Sequence, residues 1–431
     1  MLPLLDSSSA DFEARFTRLL ARDQTRAREV ETAAAAAIDA VRRDGDAALL
    51  DYTARFDKYR AANAAQLEVP RAKMEAALSE ISKPLARALR AAARRIAKFH
   101  RREKQKSWVM REPDGSRLGQ LVMPLERVGV YVPGGRAAYP SSALMSIIPA
   151  KVAGVGEVIM AAPAPGGELN PAVLAAAALA GADRVFTIGG AQAIAALAYG
   201  TASVPAVDKI VGPGNAYVAE AKRRVFGKVG IDVIAGPSEV VVICDRAARA
   251  EWVAADLFAQ AEHDPGAQAV AITDSRKTAD AVLRAAEKLL PQLPRREIIS
   301  QSLAAHGAVI KAASLREAAE LSNRIAPEHL ELMVARPRAL LPRIRHAGAI
   351  FLGAHNAEAL GDYCAGPNHV LPTAGAARFS SPLGVWDFQK RSNLIALSRA
   401  GAGKLAPVAA ELARCEGLDA HARAAECRLP R

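Results

Sequence analysis

Imidazole and carboxylate side chains meet in four islands of this chain: Glu262-His263-Asp264, Glu328-His329, Asp362 with His369, and Glu416 with Asp419 and His421. All four lie in the second half of the sequence. An imidazole beside a carboxylate is what proton transfer near neutral pH needs, or a metal site with an open position. On a helix expected over 249–262, Asp256, Gln260 and His263 follow one face at i, i+4, i+7. Gln260 and His263 are three apart near its end, so their heads can converge on one metal ion; a capping His beside a solvated Glu262 is the plainer alternative. Pro327 fixes a turn before Glu328-His329, and a Glu and His adjacent on irregular backbone can both face one pocket, one as base for water and one for a substrate hydroxyl. Asp362 and His369 share a Gly/Pro loop, as an oxygen ligand and a second base or orienting group. Glu416 and His421 stand in a C-terminal tail, where a solvated helix is the ordinary reading. No cysteine falls among these groups, so a metal held by them would have N/O ligands, which fits zinc, with manganese or cobalt as substitutes.

The elements that must carry these groups show a repeated rhythm. Residues 11–57 read as helices, with Phe12, Phe16 and Leu19 on one stripe, and a longer helix is expected from about Arg71 to Trp108. From Leu121 short β-branched runs alternate with Ala-rich helices: strands at Val128–Val132, Val158–Ala162, Val185–Ile188 and Lys209–Val211, helices over 141–153, 171–180, 191–199 and 215–226. The rhythm restarts at Glu239-Val-Val-Val-Ile-Cys244 and continues through a strand at Ala269–Thr273 and a helix over 277–290. Repeated βα units form parallel, doubly wound sheets, so the fold class is α/β with two Rossmann-like domains and Gly236-Pro237 as a seam. After Pro382 the rhythm fades into a small, mostly helical piece.

The GxGxxG fingerprint is missing after every strand. Three strand ends instead run into glycine-rich turns, Tyr131-Val-Pro-Gly-Gly135, Gly189-Gly-Ala-Gln192 and Gly212-Pro-Gly-Asn215. Neighbouring strand ends of this kind form the ligand crevice of an open parallel sheet, and the helix N-termini that follow favour an anion. Tyr131, Gln192 and Asn215 are then the polar side chains aimed at a dinucleotide; ordinary tight turns are the competing reading.

Bulk properties exclude several classes. A chain of 431 residues exceeds one ordinary core. No apolar run approaches the roughly 20 residues that span a bilayer, and the N-terminus lacks the basic and apolar regions of a secretory signal. The four cysteines (Cys244, Cys364, Cys415, Cys427) have no CxxC spacing and read as reduced thiols of a cytoplasmic protein. The net charge of +12 owes much to Arg87–Lys106, which reads as a solvated helix face without a nucleic-acid-reading motif.

From about residue 30 to the C-terminus the chain resembles the histidinol dehydrogenases. The resemblance is carried in order by Tyr131-Val-Pro-Gly-Gly135, Tyr139-Pro-Ser-Ser142, Gly212-Pro-Gly-Asn215, Ala235-Gly-Pro-Ser-Glu239 through Gln260-Ala-Glu-His263, and Ala326-Pro-Glu-His329. It continues through Gly361-Asp362-Tyr363, Asn368-His-Val-Leu-Pro-Thr373 and Glu416-Gly-Leu-Asp-x-His421. The resemblance implies oxidation of L-histidinol through L-histidinal to L-histidine with two NAD in turn, the last steps of histidine biosynthesis. It implies one zinc per subunit held by Gln260, His263, Asp362 and His421. Glu328 and His329 would be the acid–base pair, and Tyr131, Gln192 and Asn215 would contact NAD. Substrate would meet Ser238, His369 and Glu416 as well as Gln260, His263, His329, Asp362 and His421. The family is an intertwined homodimer in which the tail reaches the partner's site, so Glu416 and His421 would act in trans. The corresponding domain expectation is a helical segment 1–27, a larger discontinuous domain of 28–130 and 238–382, an NAD-contacting domain 131–237, and a tail 383–431. Partners are then the small-molecule substrate and a second copy, with no nucleic acid and no membrane. Three alternatives remain: a paralogous NAD-dependent dehydrogenase of another small primary alcohol, a metal-free aldehyde dehydrogenase using Cys244 or Cys364, and a basic nucleic-acid binder.

Overall fold

The computed structural model describes residues 2–21, 27–134 and 138–428. Gly135, which closes the first expected glycine turn, lies outside the described residues. The strands, in chain order, are β1 (Leu4–Asp6), β2 (Trp108–Arg111), β3 (Arg117–Pro124), β4 (Arg127–Tyr131), β5 (Glu157–Ala161), β6 (Arg184–Phe186) and β7 (Lys209–Val211). They continue as β8 (Gly230–Ile231), β9 (Glu239–Cys244), β10 (Gln268–Thr273), β11 (Gly307–Lys311), β12 (His329–Met333), β13 (Ala349–Leu352) and β14 (Gln389–Ala396).

Two parallel sheets form the body, as the βα rhythm predicts. The smaller has the order β6-β5-β4-β7-β8 and the larger β1-β11-β10-β9-β12-β13. Strand β9 is buried at every position, which is why Glu239-Val-Val-Val-Ile-Cys reads as a continuous apolar run rather than an alternating one. If strands are counted from β4 in one sheet and from β9 in the other, both follow the order 3-2-1-4-5, with β1 added at an edge of the larger. In each, the order reverses beside the first strand, between β4 and β7 or between β9 and β12. In the larger sheet Asp245 bridges the carboxyl ends at this reversal, its carboxylate accepting from Ala335 N (2.9 Å) and Ala247 N (2.9 Å).

Three expectations need correction. The helix expected over Arg71–Trp108 is two helices, Arg71–Ala76 and Lys83–His100, and Trp108 opens β2. Ser82 caps the second by accepting from Leu85 N, with Pro84 in its first turn, so a fresh helix start interrupts the periodicity. The N-terminal segment supplies not only the helix Phe12–Leu20 but also strand β1. The C-terminal piece opens with a short 3-10 turn, Val385–Phe388, and then β14, antiparallel to β3, which also pairs with β2 in a separate three-stranded sheet. Only then come the helices Arg399–Cys415 and Asp419–Glu426, which pack on each other through Ala410, Ala413 and Ala422.

Candidate active site

The helix Leu315–Ile325 ends at Ala326, which takes a left-handed conformation (φ 52°) unusual for a residue with a Cβ. Pro327 follows, and the chain enters β12 with His329 as its first residue. The neighbouring strand β9 begins with Glu239. Glu239 and Glu328 clasp each other across this start: Glu239 N donates to Glu328 Oε2 (2.9 Å) and Glu328 N to Glu239 Oε2 (3.3 Å). Glu239 Oε1 also accepts from Ala374 N (2.7 Å), tying in the segment after Thr373. The candidate acid–base groups therefore gather at the amino ends of the larger sheet, opposite to where an open parallel sheet ordinarily places its ligand.

His329 is almost fully buried. Its Nδ1 lies 3.1 Å from the Glu239 carbonyl oxygen, an acceptor only, so Nδ1 carries the proton and donates. Its Nε2 lies 3.2 Å from Asp362 Oδ1. Glu328 Oε2 stands 3.7 Å and Glu358 Oε1 3.9 Å from Nδ1. Burial disfavours the imidazolium, but the surrounding carboxylates Glu358, Glu328 and Asp362 outweigh it and raise His329 well above its ordinary pKa. Burial pushes Glu328 up to about 7 against the opposing charge of His329. A carboxylate so placed is matched to base work near neutrality.

Asp362 lies in the π-helical turn Gly361–Ala365 that follows the short helix Glu358–Leu360. Gly361 lets this turn press on Phe351, since a Cβ there would stand 2.5 Å from the ring. Burial favours the protonated acid at Asp362, but the hydrogen bond and charge of His329, with His369 and His263, prevail and hold it below its ordinary range. His369 Nδ1 donates to the Asp362 carbonyl (3.0 Å), and burial keeps its ring below the usual imidazole pKa.

Gln260 is buried near the end of the helix Ala250–Ala261, and His263 lies just beyond it, its N–H bonded to the Gln260 carbonyl at 3.2 Å. Among the described residues, His329, Glu358 and Asp362 have ligand atoms within 4.8 Å of one another. Burial holds His263 below the usual imidazole pKa, against the opposing pull of the Asp362 and Glu262 carboxylates. The structure thus brings Gln260, Glu328, His329, Asp362 and His369 together, with His263 within electrostatic reach of Asp362 and His329 and Ser238 half-buried beside Glu239. Glu416 and His421 are exposed on the C-terminal helical hairpin, outside this group in the single chain. Glu358 and Glu331 escape a reading based on His–carboxylate islands. Glu331, raised well above its ordinary pKa by burial and by Asp256, accepts from Glu358 N at 2.8 Å. The signal available for Glu358 was its place four residues before Asp362, one helical turn away.

The expected cofactor contacts lie at the carboxyl ends of the smaller sheet. Tyr131 ends β4 and is buried; its hydroxyl accepts from Gly190 N (3.1 Å). Gln192 is buried in the helix Gly190–Tyr199. Asn215 is exposed and caps the helix Ala216–Val225, accepting from Tyr217 N and Val218 N (3.1 Å each). Gly212 (φ 108°) cannot be replaced, because a Cβ there would stand 2.1 Å from the Tyr131 carbonyl oxygen. Neither thiol considered as a nucleophile is primed for the task. Cys244 is fully buried and pushed up to about 12 by that burial, and Cys364 is half-buried with its Sγ toward the Leu360 carbonyl (3.6 Å).

A family model described as histidinol dehydrogenase matches residues 20–429. The histidinol dehydrogenase of Chromobacterium violaceum is 59% identical over 425 residues, covering 99% of this chain and 98% of that protein. That of Aromatoleum aromaticum is 58% identical, covering 99% and 97%. The crystal structure of histidinol dehydrogenase from Elizabethkingia anophelis superposes with a TM-score of 0.93 at 34% identity, over 99% of this chain and 98% of that one.

Proposed function

The chain belongs to the histidinol dehydrogenase family, an oxidoreductase family of histidine biosynthesis, and we propose on that footing that it oxidises L-histidinol to L-histidine through L-histidinal, with zinc and two successive NAD. The observation that carries the reading is the buried cluster at the start of β9 and β12, where one imidazole, His329, faces Glu328, Glu358 and Asp362. Such a surplus of buried carboxylate calls for a cation, and the donor set of Asp362, His263 and the Gln260 amide oxygen suits zinc. Gln260, His263 and Asp362, with His421 of a second copy, would hold it. When bound, zinc supplies a cationic anchor for the imidazole and amine of histidinol, and NAD supplies the hydride acceptor.

The chain's own groups do the rest. His329 Nδ1 is spent on the Glu239 carbonyl, so Nε2 is the atom that would take the hydroxyl proton as the alcohol is oxidised, once a cation held by Asp362 offsets the carboxylate charge that otherwise keeps the ring protonated. Glu328 then removes a proton from water as it adds to the aldehyde, and His329 acts again in the second oxidation. His369, its Nδ1 held by Asp362, and Ser238 orient the substrate, while Tyr131, Gln192 and Asn215 border the cofactor at the carboxyl ends of β4, β6 and β7. Of the expected division, 131–237 for cofactor and 28–130 with 238–382 for chemistry, the cofactor side would take more: the central strand of its sheet is Arg127–Tyr131, and Ala34, Ile38, Leu89 and Ile96 share that sheet's apolar cores. NADH formed per L-histidinol tests the reaction: two are expected, and none after the metal is chelated away. One NADH per L-histidinol would limit the chain to a two-electron alcohol dehydrogenase, and none from the metal-loaded protein would point to another primary alcohol.

The same reading gives the arm of β2, β3 and β14 and the C-terminal hairpin to a homodimer. They expose Trp108, Met110, Ile395, Leu405, Val408 and Leu412, more apolar surface than an unpartnered arm should show. Glu416 and His421 ride on this hairpin and would complete the partner's site. Mixing His421→Asn with His329→Asn subunits is expected to restore activity, since one of the two sites in each heterodimer is then intact. Verified heterodimers without recovery would refute the exchange.

A further inference from the structure

Gln260 can offer a metal only one of its two amide ends: the oxygen has lone pairs, whereas the NH2 group has two donors and nothing to give. The surroundings of the NH2 group are unusually one-sided. Assigned to the inner end of the amide by the atoms around it, the NH2 group stands 3.0 and 3.1 Å from the two oxygens of Glu358 and 3.3 Å from the Glu239 carbonyl oxygen. The Glu239 carbonyl oxygen only accepts, as do the Glu358 oxygens when that carboxylate is ionised, so the opposite orientation would then set the amide oxygen against them. Gln260 is 1% exposed and Glu358 2%, so no bulk water compensates a wrong choice. Glu358 is itself fixed, its N–H held by Glu331 Oε1 at 2.8 Å at the start of a short helix.

We propose that Glu358 is a positioning residue that locks the Gln260 amide with its nitrogen inward, so that the oxygen alone faces the metal. This rests on the zinc reading above and deepens it. Without Glu358, the 3.3 Å contact to the Glu239 carbonyl is the only hold on that nitrogen left among the described residues, and the amide can turn its NH2 group to the ion.

The test is zinc affinity of the full-length protein, measured by competition with a chromogenic chelator. Glu358→Ala is expected to weaken zinc binding by about 10–100-fold, the usual cost of losing a group that orients a ligand. Glu358→Gln keeps one acceptor oxygen and should lose less; it also serves if Glu358→Ala fails to fold. The deciding comparison is made on Gln260→Glu, whose carboxylate has no wrong end. There, adding Glu358→Ala should not weaken zinc further, because it also removes a neighbouring negative charge. Equal losses in both backgrounds would make Glu358 a ligand or a general scaffold and overturn the positioning role. Unchanged affinity in Glu358→Ala, or in Glu358→Gln where only that variant folds, would overturn it too, as would a Gln260→Glu protein that binds no zinc. A parent protein that binds no zinc would instead sink the zinc reading itself, and this inference with it.

Discussion

Replacing Glu328 by Gln should slow the aldehyde-oxidising half of the reaction by about 10²–10⁴-fold, the range spanned by loss of a positioned general base, while slowing the alcohol-oxidising half several-fold at most. The substitution preserves shape and can keep the hydrogen bond from Glu239 N, but it cannot receive a proton. Single-turnover NADH formation from histidinal and from histidinol, measured separately, checks the difference; equal losses in both halves would refute the water-activating role. The pH dependence has a definite sign. Burial raises Glu328 to about 7, so the base is protonated on the acid side, and the parent's second half-reaction should fall below about pH 7. That limb should vanish in Glu328→Gln. Stability moves the other way. The folded chain keeps this proton up to about pH 7 while the unfolded chain releases it near 4.5, so ionising Glu328 destabilises the fold across that window. Glu328→Gln should therefore melt no lower than the parent at pH 8, which separates lost chemistry from lost fold.

Lys222→Met should cost about 3–5 kcal/mol of stability, the penalty for removing one partner of a buried ion pair. The side chains of Lys222 and Asp232 are each only 2% exposed. The Lys222 ammonium donates to Asp232 and to the carbonyls of Gly212 (3.0 Å) and Val233 (3.0 Å), while Asp232 accepts from Gly212 N (2.7 Å). Methionine fills the volume but leaves Asp232 charged, dry and unpaired. The same pair pins the Gly212 turn beside Tyr131, so the KM for NAD should rise along with the loss in chemical denaturation. Replacing both residues, as in Lys222→Met with Asp232→Val, should recover much of the stability but not the cofactor affinity. A loss below about 1 kcal/mol in Lys222→Met would mean that water reaches Asp232.

The βα rhythm was legible because strands buried on both faces, such as β9, leave continuous apolar runs in the sequence. The His–carboxylate islands were legible as well, and the structure gathers three of the four. What escaped depends on distant partners. Strand β14 reads Gln-Lys-Arg-Ser-Asn-Leu-Ile-Ala, largely exposed, and is a strand only because β3 lies beside it. Strand β1 has three residues and no meaning apart from β11. Glu358 sits in an unremarkable Ala-rich stretch, and its importance comes from an amide almost a hundred residues earlier. The break in the long helix was local and readable: Ser82-Lys-Pro84 is a helix start, hidden by the Ala/Arg periodicity on either side.

Asp245, stretched across the carboxyl ends of β9 and β12, has a consequence for how electrons are counted. A chain with two sheets of nucleotide-binding order could in principle load two dinucleotides at once, but the expected cofactor contacts all belong to the smaller sheet, and at the reversal of the larger one the Asp245 carboxylate already takes up Ala335 N and Ala247 N. Under the proposed reaction, the two hydride acceptors must then visit the smaller sheet one after the other. Between those visits the half-oxidised intermediate waits beside a vacated cofactor seat. The enzyme's quality is thus set by a ratio of residence times, with substrate held longer than dinucleotide, and escaped aldehyde is the direct measure of that ratio.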